Sequence, residues 1–187
     1  MEKIEFNIKG MVCSRCLKVL HDELEDLGAT VLQIQLGRIL LQYTPEEINT
    51  QQFESVFKEN DFEIIRDLPT LLAEKTKRLV HEYVWRSDHE VNLSDFLSTR
   101  LKRNYDGISK NFSTVFGRTI ERYSLILKVE RAKELIEIGE LNLSEIAYSL
   151  GYQNPSALSR QFKKETGMTL NRYRQLEKRE RIPLDKI

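Results

Sequence analysis

The sequence predicts an α+β module followed by an all-α domain that contains two helix-turn-helix units. Three observations carry this. Over residues 1–67 apolar residues recur at period two and at helical spacing in turn, whereas beyond them only helical spacing is found. Charge is unevenly shared: residues 1–70 hold 7 Lys+Arg against 13 Asp+Glu, a net of −6, and residues 71–187 hold 22 against 16, a net of +6. Finally, a segment in the middle of the chain is repeated near its end.

The elements follow in order. Ile4, Phe6 and Ile8 alternate with polar residues, as in a half-buried strand. Cys16, Leu17, Leu20, Leu24 and Leu27 fall on one face of a helix that Gly28 stops. Residues 31–36 and 39–43 read as strands joined by a turn at Gly37-Arg38. Pro45 opens a second helix whose apolar positions include Ile48, Phe53, Val56 and Phe57. Residues 62–65 add a last strand and complete a ferredoxin-like βαββαβ order. Pro69 disfavours helix in its predecessor and can begin the next one, which makes Asp67-Leu68-Pro69-Thr70 the boundary. The modules are then residues 1–67 and 73–187, with 68–72 as a short linker, and the first helix beyond it covers 72–85.

The internal repeat is the strongest signal. Phe112, Gly117, Thr119, Arg122 and Tyr123 match Phe162, Gly167, Thr169, Arg172 and Tyr173 at an offset of 50, and Ile108-Ser109 matches Leu158-Ser159. Upstream, Asn92-Leu93-Ser94 answers Asn142-Leu143-Ser144 at 50 and Leu97 answers Ile146 at 49, which implies turns differing by one residue. In the second copy Ser144 caps a helix over 145–150 and Gly151 permits a sharp turn. Asn154 then caps a helix that Pro155 starts and Gly167 ends. Ile146, Ala147, Leu150, Leu158 and Phe162 hold the two helices together. Ser156, Ala157, Ser159, Arg160 and Lys163 are left facing outward. Small polar residues with Arg and Lys, on a helix offered by a tight turn, suit major-groove reading. A purely structural helical hairpin would explain the core residues but not the duplication.

Ile146-Ala-Tyr-Ser-Leu-Gly-Tyr152, Ser156-Ala-Leu-Ser-Arg-Gln-Phe-Lys-Lys164, Gly167-Met-Thr169 and Arg172-Tyr-Arg174 resemble the signature of AraC-type regulators. The resemblance spans roughly residues 72–182 and is weaker in the first unit. It implies two units on either side of a long helix, here 119–138, with each recognition helix in one of two successive major-groove segments. Grooves on one face repeat every ~34 Å, and a helix of about twenty residues spans ~30 Å, so one chain can reach both, with the DNA bent if the units are rigid. By position, Ser156, Ala157, Ser159 and Arg160 face bases in the second unit, and Asp106, Gly107, Ser109 and Lys110 hold the equivalent places in the first. Arg160 is the leading base contact, because a guanidinium binds guanine bidentately. Lys163, Lys164, Lys102 and Arg103 either touch phosphate or solvate a face. The first unit departs from the pattern: Lys102 stands where Gly is expected, and Asp106 puts negative charge on the groove side. The second unit is therefore expected to dominate specificity.

Gly10-Met11-Val12-Cys13-Ser14-Arg15-Cys16, between a strand and a helix, resembles the heavy-metal-associated domain of copper chaperones and transport ATPases, over about residues 2–66. The resemblance implies that Cys13 and Cys16 hold a soft ion. Cu(I) accepts two sulfur ligands, whereas Zn(II) usually needs four, and no third Cys or nearby His offers itself. His21 lies farther along the helix on a solvated face, and His81 and His89 belong to the other half. A thioredoxin-like reading of the C-x-x-C pair fails on length, on the missing aromatic before Cys13 and on the lack of a facing Pro. A reversible Cys13–Cys16 disulfide stays open, as does a retained fold with inactive cysteines.

These readings point to a sequence-specific DNA-binding transcription regulator, controlled by Cu(I) or thiol redox at the cysteine pair. The alternative is a metal carrier or protein-interaction module with an appended helical domain. An enzyme is not expected: no Ser/His/Asp set, paired-carboxylate motif, phosphate-binding Gly loop or multi-His site appears. No apolar run is long enough for a bilayer and the start lacks a signal-peptide pattern, which implies a cytoplasmic protein. Double-stranded DNA is the expected partner, with a homodimer admitted, no membrane, and no cofactor required beyond the Cu(I) reading.

Overall fold

The computed structural model describes residues 1–11, 14–86, 91–176 and 181–182, Ser14 by its backbone only. The chain divides into two compact units, Met1–Glu74 and Lys75–Ile187.

The first unit runs β1 (Glu2–Lys9), α1 (Ser14–Asp26), β2 (Thr30–Gln35), β3 (Arg38–Tyr43), α2 (Thr50–Glu59) and β4 (Glu63–Ile64). The strands form an antiparallel sheet in the order β2-β3-β1-β4. The period-two pattern turns Phe6 and Ile8 of β1 and Ile39, Leu41 and Tyr43 of β3 inward, where Leu20 and Leu24 of α1 and Phe53 and Phe57 of α2 bury them. The Phe6 ring meets Phe53 at 5.7 Å and Phe57 at 5.1 Å, both edge-on.

Several boundaries differ from the sequence reading. The hairpin turn is Leu36-Gly37 rather than Gly37-Arg38, because Gly37 takes the left-handed conformation (φ +77°) and Arg38 already pairs with Gln35. α2 starts at Thr50 rather than Pro45. Asn49 caps it: its side chain accepts from the Gln52 amide at 3.0 Å, and the Gln52 side chain accepts from the Asn49 amide at 2.9 Å. Residues 45–47 instead form a turn on which the Glu47 and Ile48 amides donate to the Thr44 carbonyl. The last strand is reduced to Glu63–Ile64, although the Ile65 amide still reaches the Asn7 carbonyl at 2.7 Å.

α3 (Leu68–Trp85) also begins earlier than the expected residue 72. The Asp67 side chain accepts from the Thr70 amide at 2.8 Å, and that bond holds the Asp67 carboxyl below its usual range. Pro69 lies in the first turn, where its missing amide leaves nothing unpaired.

The second unit continues with α4 (Leu93–Leu101), α5 (Tyr105–Phe116), α6 (Ile120–Ile138), α7 (Leu143–Ser149), α8 (Pro155–Thr166) and α9 (Leu170–Arg174). Two cores are strung along α6. Ile120, Tyr123 and Leu127 join Phe96, Leu97, Ile108 and Phe112. Val129, Ala132 and Ile136 join Ile146, Ala147, Leu150, Leu158 and Phe162. Serving two cores buries α6 on several sides, so it lacks the single apolar stripe of a surface helix. Even Glu130 is 2% exposed there, and it accepts from Lys133 at 2.6 Å.

Candidate nucleic-acid interface

The interface is positioned by helix caps that recur in both copies of the repeat. Asn92 and Asn142 cap α4 and α7, their side chains accepting from the Asp95 and Glu145 amides at 2.9 and 3.0 Å. Ser144, the cap expected from sequence, lies inside α7, because Asn142 with Glu145 makes a capping box. The offset of 50 therefore persists through the first helix: Phe96 answers Ile146, and Leu97 answers Ala147 rather than Ile146. The slip arises at the end of that helix. α4 has 9 residues against 7 in α7, and the left-handed residue of the turn is Lys102 (φ +53°) in one copy and Gly151 (φ +73°) in the other. A side chain at such a φ costs roughly 1 kcal/mol relative to glycine.

After the turn the copies realign. Asn104 and Asn154 cap α5 and α8, accepting from the Gly107 and Ala157 amides at 2.7 and 2.9 Å. Gly117 and Gly167 end both helices in the left-handed conformation, and each helix has 12 residues. Ile108 and Phe112, and likewise Leu158 and Phe162, are buried and fix which face of each helix turns outward.

On α8 that outer face carries Ser156, Arg160 and Lys163 exposed, with Ala157 and Ser159 half-buried beside them. On α5 it carries Asp106, Gly107 and Lys110 exposed, with Ser109 half-buried. Each set thus shares one helix. The side chains of Arg160, Lys163, Asp106 and Lys110 have no hydrogen-bond or ion-pair partner among the described residues. Their charges differ. Arg160, Lys163 and Lys164 make the exposed face of α8 cationic, whereas Asp106 offsets Lys110 on α5.

Two pairs were not anticipated from sequence. Arg122, in the first turn of α6, donates to Glu165 near the end of α8, and Gln161 donates to the same carboxylate at 2.9 Å. The Arg122 bond, helped by the nearby positive charges of Arg122 and Lys164, holds the Glu165 carboxyl below its usual range against the opposing effect of burial. Arg122 and Arg172 are repeat partners, but Glu165 corresponds to Val115, so the repeat itself does not foretell a bond that joins one copy to the other. The second pair is Tyr105 with Glu121. Tyr105 opens α5 where Pro155 opens α8, and its hydroxyl donates to the Glu121 carboxylate. Burial first, and then Glu121, push the Tyr105 hydroxyl well above its ordinary pKa.

In the first unit, Cys16 lies in the first turn of α1, half-buried against the core. Cys13 lies outside the described residues, as does His89. His21 is exposed beside Asp22, and the His81 ring stacks on Trp85 at 3.9 Å. Among the described residues no group of three or more His, Cys, Asp or Glu is placed to hold a metal ion, and no helix is long and apolar enough to cross a membrane.

Residues 97–176, from the middle of α4 to just beyond α9, match the family profile described as a helix-turn-helix domain. The carboxy-terminal part therefore carries a helix-turn-helix domain. No curated protein matches the sequence. Among solved structures, the helix-turn-helix domain is similar to the carboxy-terminal domain of AraT, a response regulator from Geobacillus stearothermophilus. The identity is 23% and the TM-score 0.49, over 56% of this chain and 84% of that one. It is also similar to the carboxy-terminal domain of the two-component response regulator yesN from Fusobacterium nucleatum, at 29% identity and TM-score 0.48 over 55% and 96% of the two chains. A third similar structure is an AraC-type transcriptional regulator from Chromobacterium violaceum, at 14% identity and TM-score 0.49 over 57% and 95%.

Proposed function

We propose that this chain is a cytoplasmic transcription regulator that reads double-stranded DNA by seating α8 and α5 in successive major-groove segments. The carrying observation is the duplicated, capped helix pair, which leaves unpartnered polar and cationic side chains on the outer faces of α5 and α8. Ser156, Ala157, Ser159 and Arg160 contact bases from α8, and Lys163 a phosphate. Asp106, Ser109 and Lys110 do the equivalent from α5. α8 contributes more to specificity, because Arg160 can bind guanine bidentately and no acid on that face offsets it, whereas Asp106 offsets Lys110 on α5. The test is an unbiased selection of bound duplexes followed by titration at several salt concentrations. Affinity should fall steeply with ionic strength while the preferred sequence is kept. Arg160→Ala should weaken specific binding by about tenfold or more, and Lys110→Ala by less. Equal losses would overturn the ranking of the two units, and no selected sequence would overturn the function.

The cysteine pair belongs to the same proposal. Cys13 and Cys16 respond to Cu(I) or to a thiol oxidant and adjust operator affinity. The βαββαβ order and the place of Cys16 in the first turn of α1 support this reading. Cys13 and Cys16 would supply the two thiolates, a ligand number that Cu(I) accepts. For the signal to act, the ligand must bind the DNA-competent and incompetent states with different affinity. Operator affinity measured at fixed salt should change with Cu(I) or oxidant in the wild type and not in Cys13→Ser. An operator affinity indifferent to all three would end the idea.

A further inference from the structure

Asp106 is the one exposed acidic residue among the positions that correspond to the reading face of α8. It occupies the second position of α5, the place Ser156 holds in α8, and its carboxylate has no partner among the described residues. Lys110 lies one turn farther along the same face without taking it up, although an i,i+4 Asp–Lys pair would be the ordinary resting arrangement on a helix. Gly107 follows immediately. A Cβ there would come within 2.9 Å of the capping Asn104 oxygen, the end of a flexible side chain, and α8 carries Ala157 at the same capped position, so α5 presents one methyl less beside Asp106. Phosphate repulsion of the carboxylate is offset locally, since Lys102 and Arg103 precede the helix, both exposed, and Lys110 follows.

We infer that Asp106 is a specificity-determining residue that accepts a hydrogen bond from the N4 amino group of a cytosine in the segment read by α5. Among the base edges in the major groove, cytosine presents only this donor, whereas guanine presents two acceptors, which repel a carboxylate. Lys110, one turn on, faces the neighbouring step, where guanine O6 and N7 suit an ammonium. The two residues together make α5 a reader of a C/G-containing step rather than a passive support for α8. This rests on the DNA-reading function proposed above.

The experiment is the same unbiased selection, run on full-length wild type, Asp106→Ala and Asp106→Asn. The half of the selected sequence that belongs to α8 is identified by its loss in Arg160→Ala. In the other half, wild type should require cytosine at one position. Asp106→Ala should lose that preference, and Asp106→Asn should move it towards adenine, whose N6 and N7 match a carboxamide. Placing N4-methylcytosine at that position should weaken wild type about tenfold and leave Asp106→Ala unchanged. Tighter binding by Asp106→Ala with an unchanged sequence preference would show that the carboxylate only repels phosphate, and would overturn the inference. So would a wild-type selection with no cytosine preference in that half, while a sequence is still selected through α8. Failure of every form to select any sequence would instead remove the DNA-reading function itself.

Discussion

Arg122 at the start of α6 and Glu165 at the end of α8 form an ion pair that ties the connecting helix to the second recognition helix. α5 is tied to α6 differently, by the Tyr105 hydroxyl on Glu121, and Val115 stands where α8 has the acid. Glu165 is only 11% exposed on its side chain, whereas Arg122 is 49% exposed. We expect Glu165→Gln to lower stability by about 1 kcal/mol, as for a pair open on one side. The larger effect should be on specific DNA affinity, because the angle of α8 would be less firmly held. Unchanged affinity in a salt-matched titration would show that the pair contributes stability alone.

The same pair sets an acid limit. The folded-state pKa of Glu165 lies below its ordinary value of 4.5, so its contribution is fully present above pH 4.5 and is lost as pH falls through the folded value. Denaturant midpoints measured from pH 6 to 3 should therefore fall less steeply in Glu165→Gln than in wild type. Parallel curves would contradict the assignment.

His81 acts over a different pH range. Its ring, stacked on Trp85, has a buried Nε2 without a partner among the described residues, and burial lowers its pKa below 6.5, against Glu134, which raises it. The neutral form belongs to the folded state. Stability from this site is complete above pH 6.5 and declines as the unfolded chain takes up a proton that the folded one resists. His81→Phe keeps a ring against Trp85 and should remove that part of the pH dependence between 7 and 5. Its persistence in the variant would assign it to another group.

Lys102 holds a left-handed conformation that Gly151 holds in the other copy. Lys102→Gly should raise stability by about 0.5–1 kcal/mol, read as a shift of the denaturant midpoint at constant slope. If the lysine touches phosphate, the same variant will bind DNA more weakly while being more stable. A destabilised variant would mean that the Lys102 side chain contributes packing that outweighs the backbone relief.

Lys133 and Glu130 bury an ion pair on α6, 8% and 2% exposed, and the Ile182 amide adds a bond to the same carboxylate at 2.9 Å. Lys133→Met strands that carboxylate and should destabilise the domain by about 3 kcal/mol. Pairing it with Glu130→Leu should restore most of the loss. Equal destabilisation in single and double variants would show that packing around the lysine stem, rather than charge, dominates.

How much of this could be read in the sequence depended on how local the determining interactions are. The βαββαβ element order followed from alternation at Ile4, Phe6 and Ile8, the apolar runs at 31–36 and 39–43 and the helical spacing between them, and the ends of α8 from Asn154, Pro155 and Gly167. Where neighbouring residues competed for one role, the reading slipped. Asn142 caps α7 because Glu145 completes its box, which Ser144 as cap could not use. Asn49 with Gln52 likewise overrode the helix-starting tendency of Pro45. The register of the first repeat failed at Leu97 because both Phe96 and Leu97 are buried, so burial alone could not choose between them. Pairs such as Arg122 with Glu165 and Tyr105 with Glu121 join residues far apart in sequence, and only the packing of α6 against both units brings them together.

α6, a single helix of 19 residues capped by Thr119 and Gly139, carries one helix-turn-helix unit at each end. On the proposed DNA-reading function, capture of one segment by α8 would deliver α5 to the adjacent one as an intramolecular event, at an effective concentration far above that of the free protein. Even a feeble preference by α5 would then be multiplied into the total, and isolated half-matches scattered through a genome would be left unoccupied. Selectivity of that kind arises from tethering as much as from any one contact.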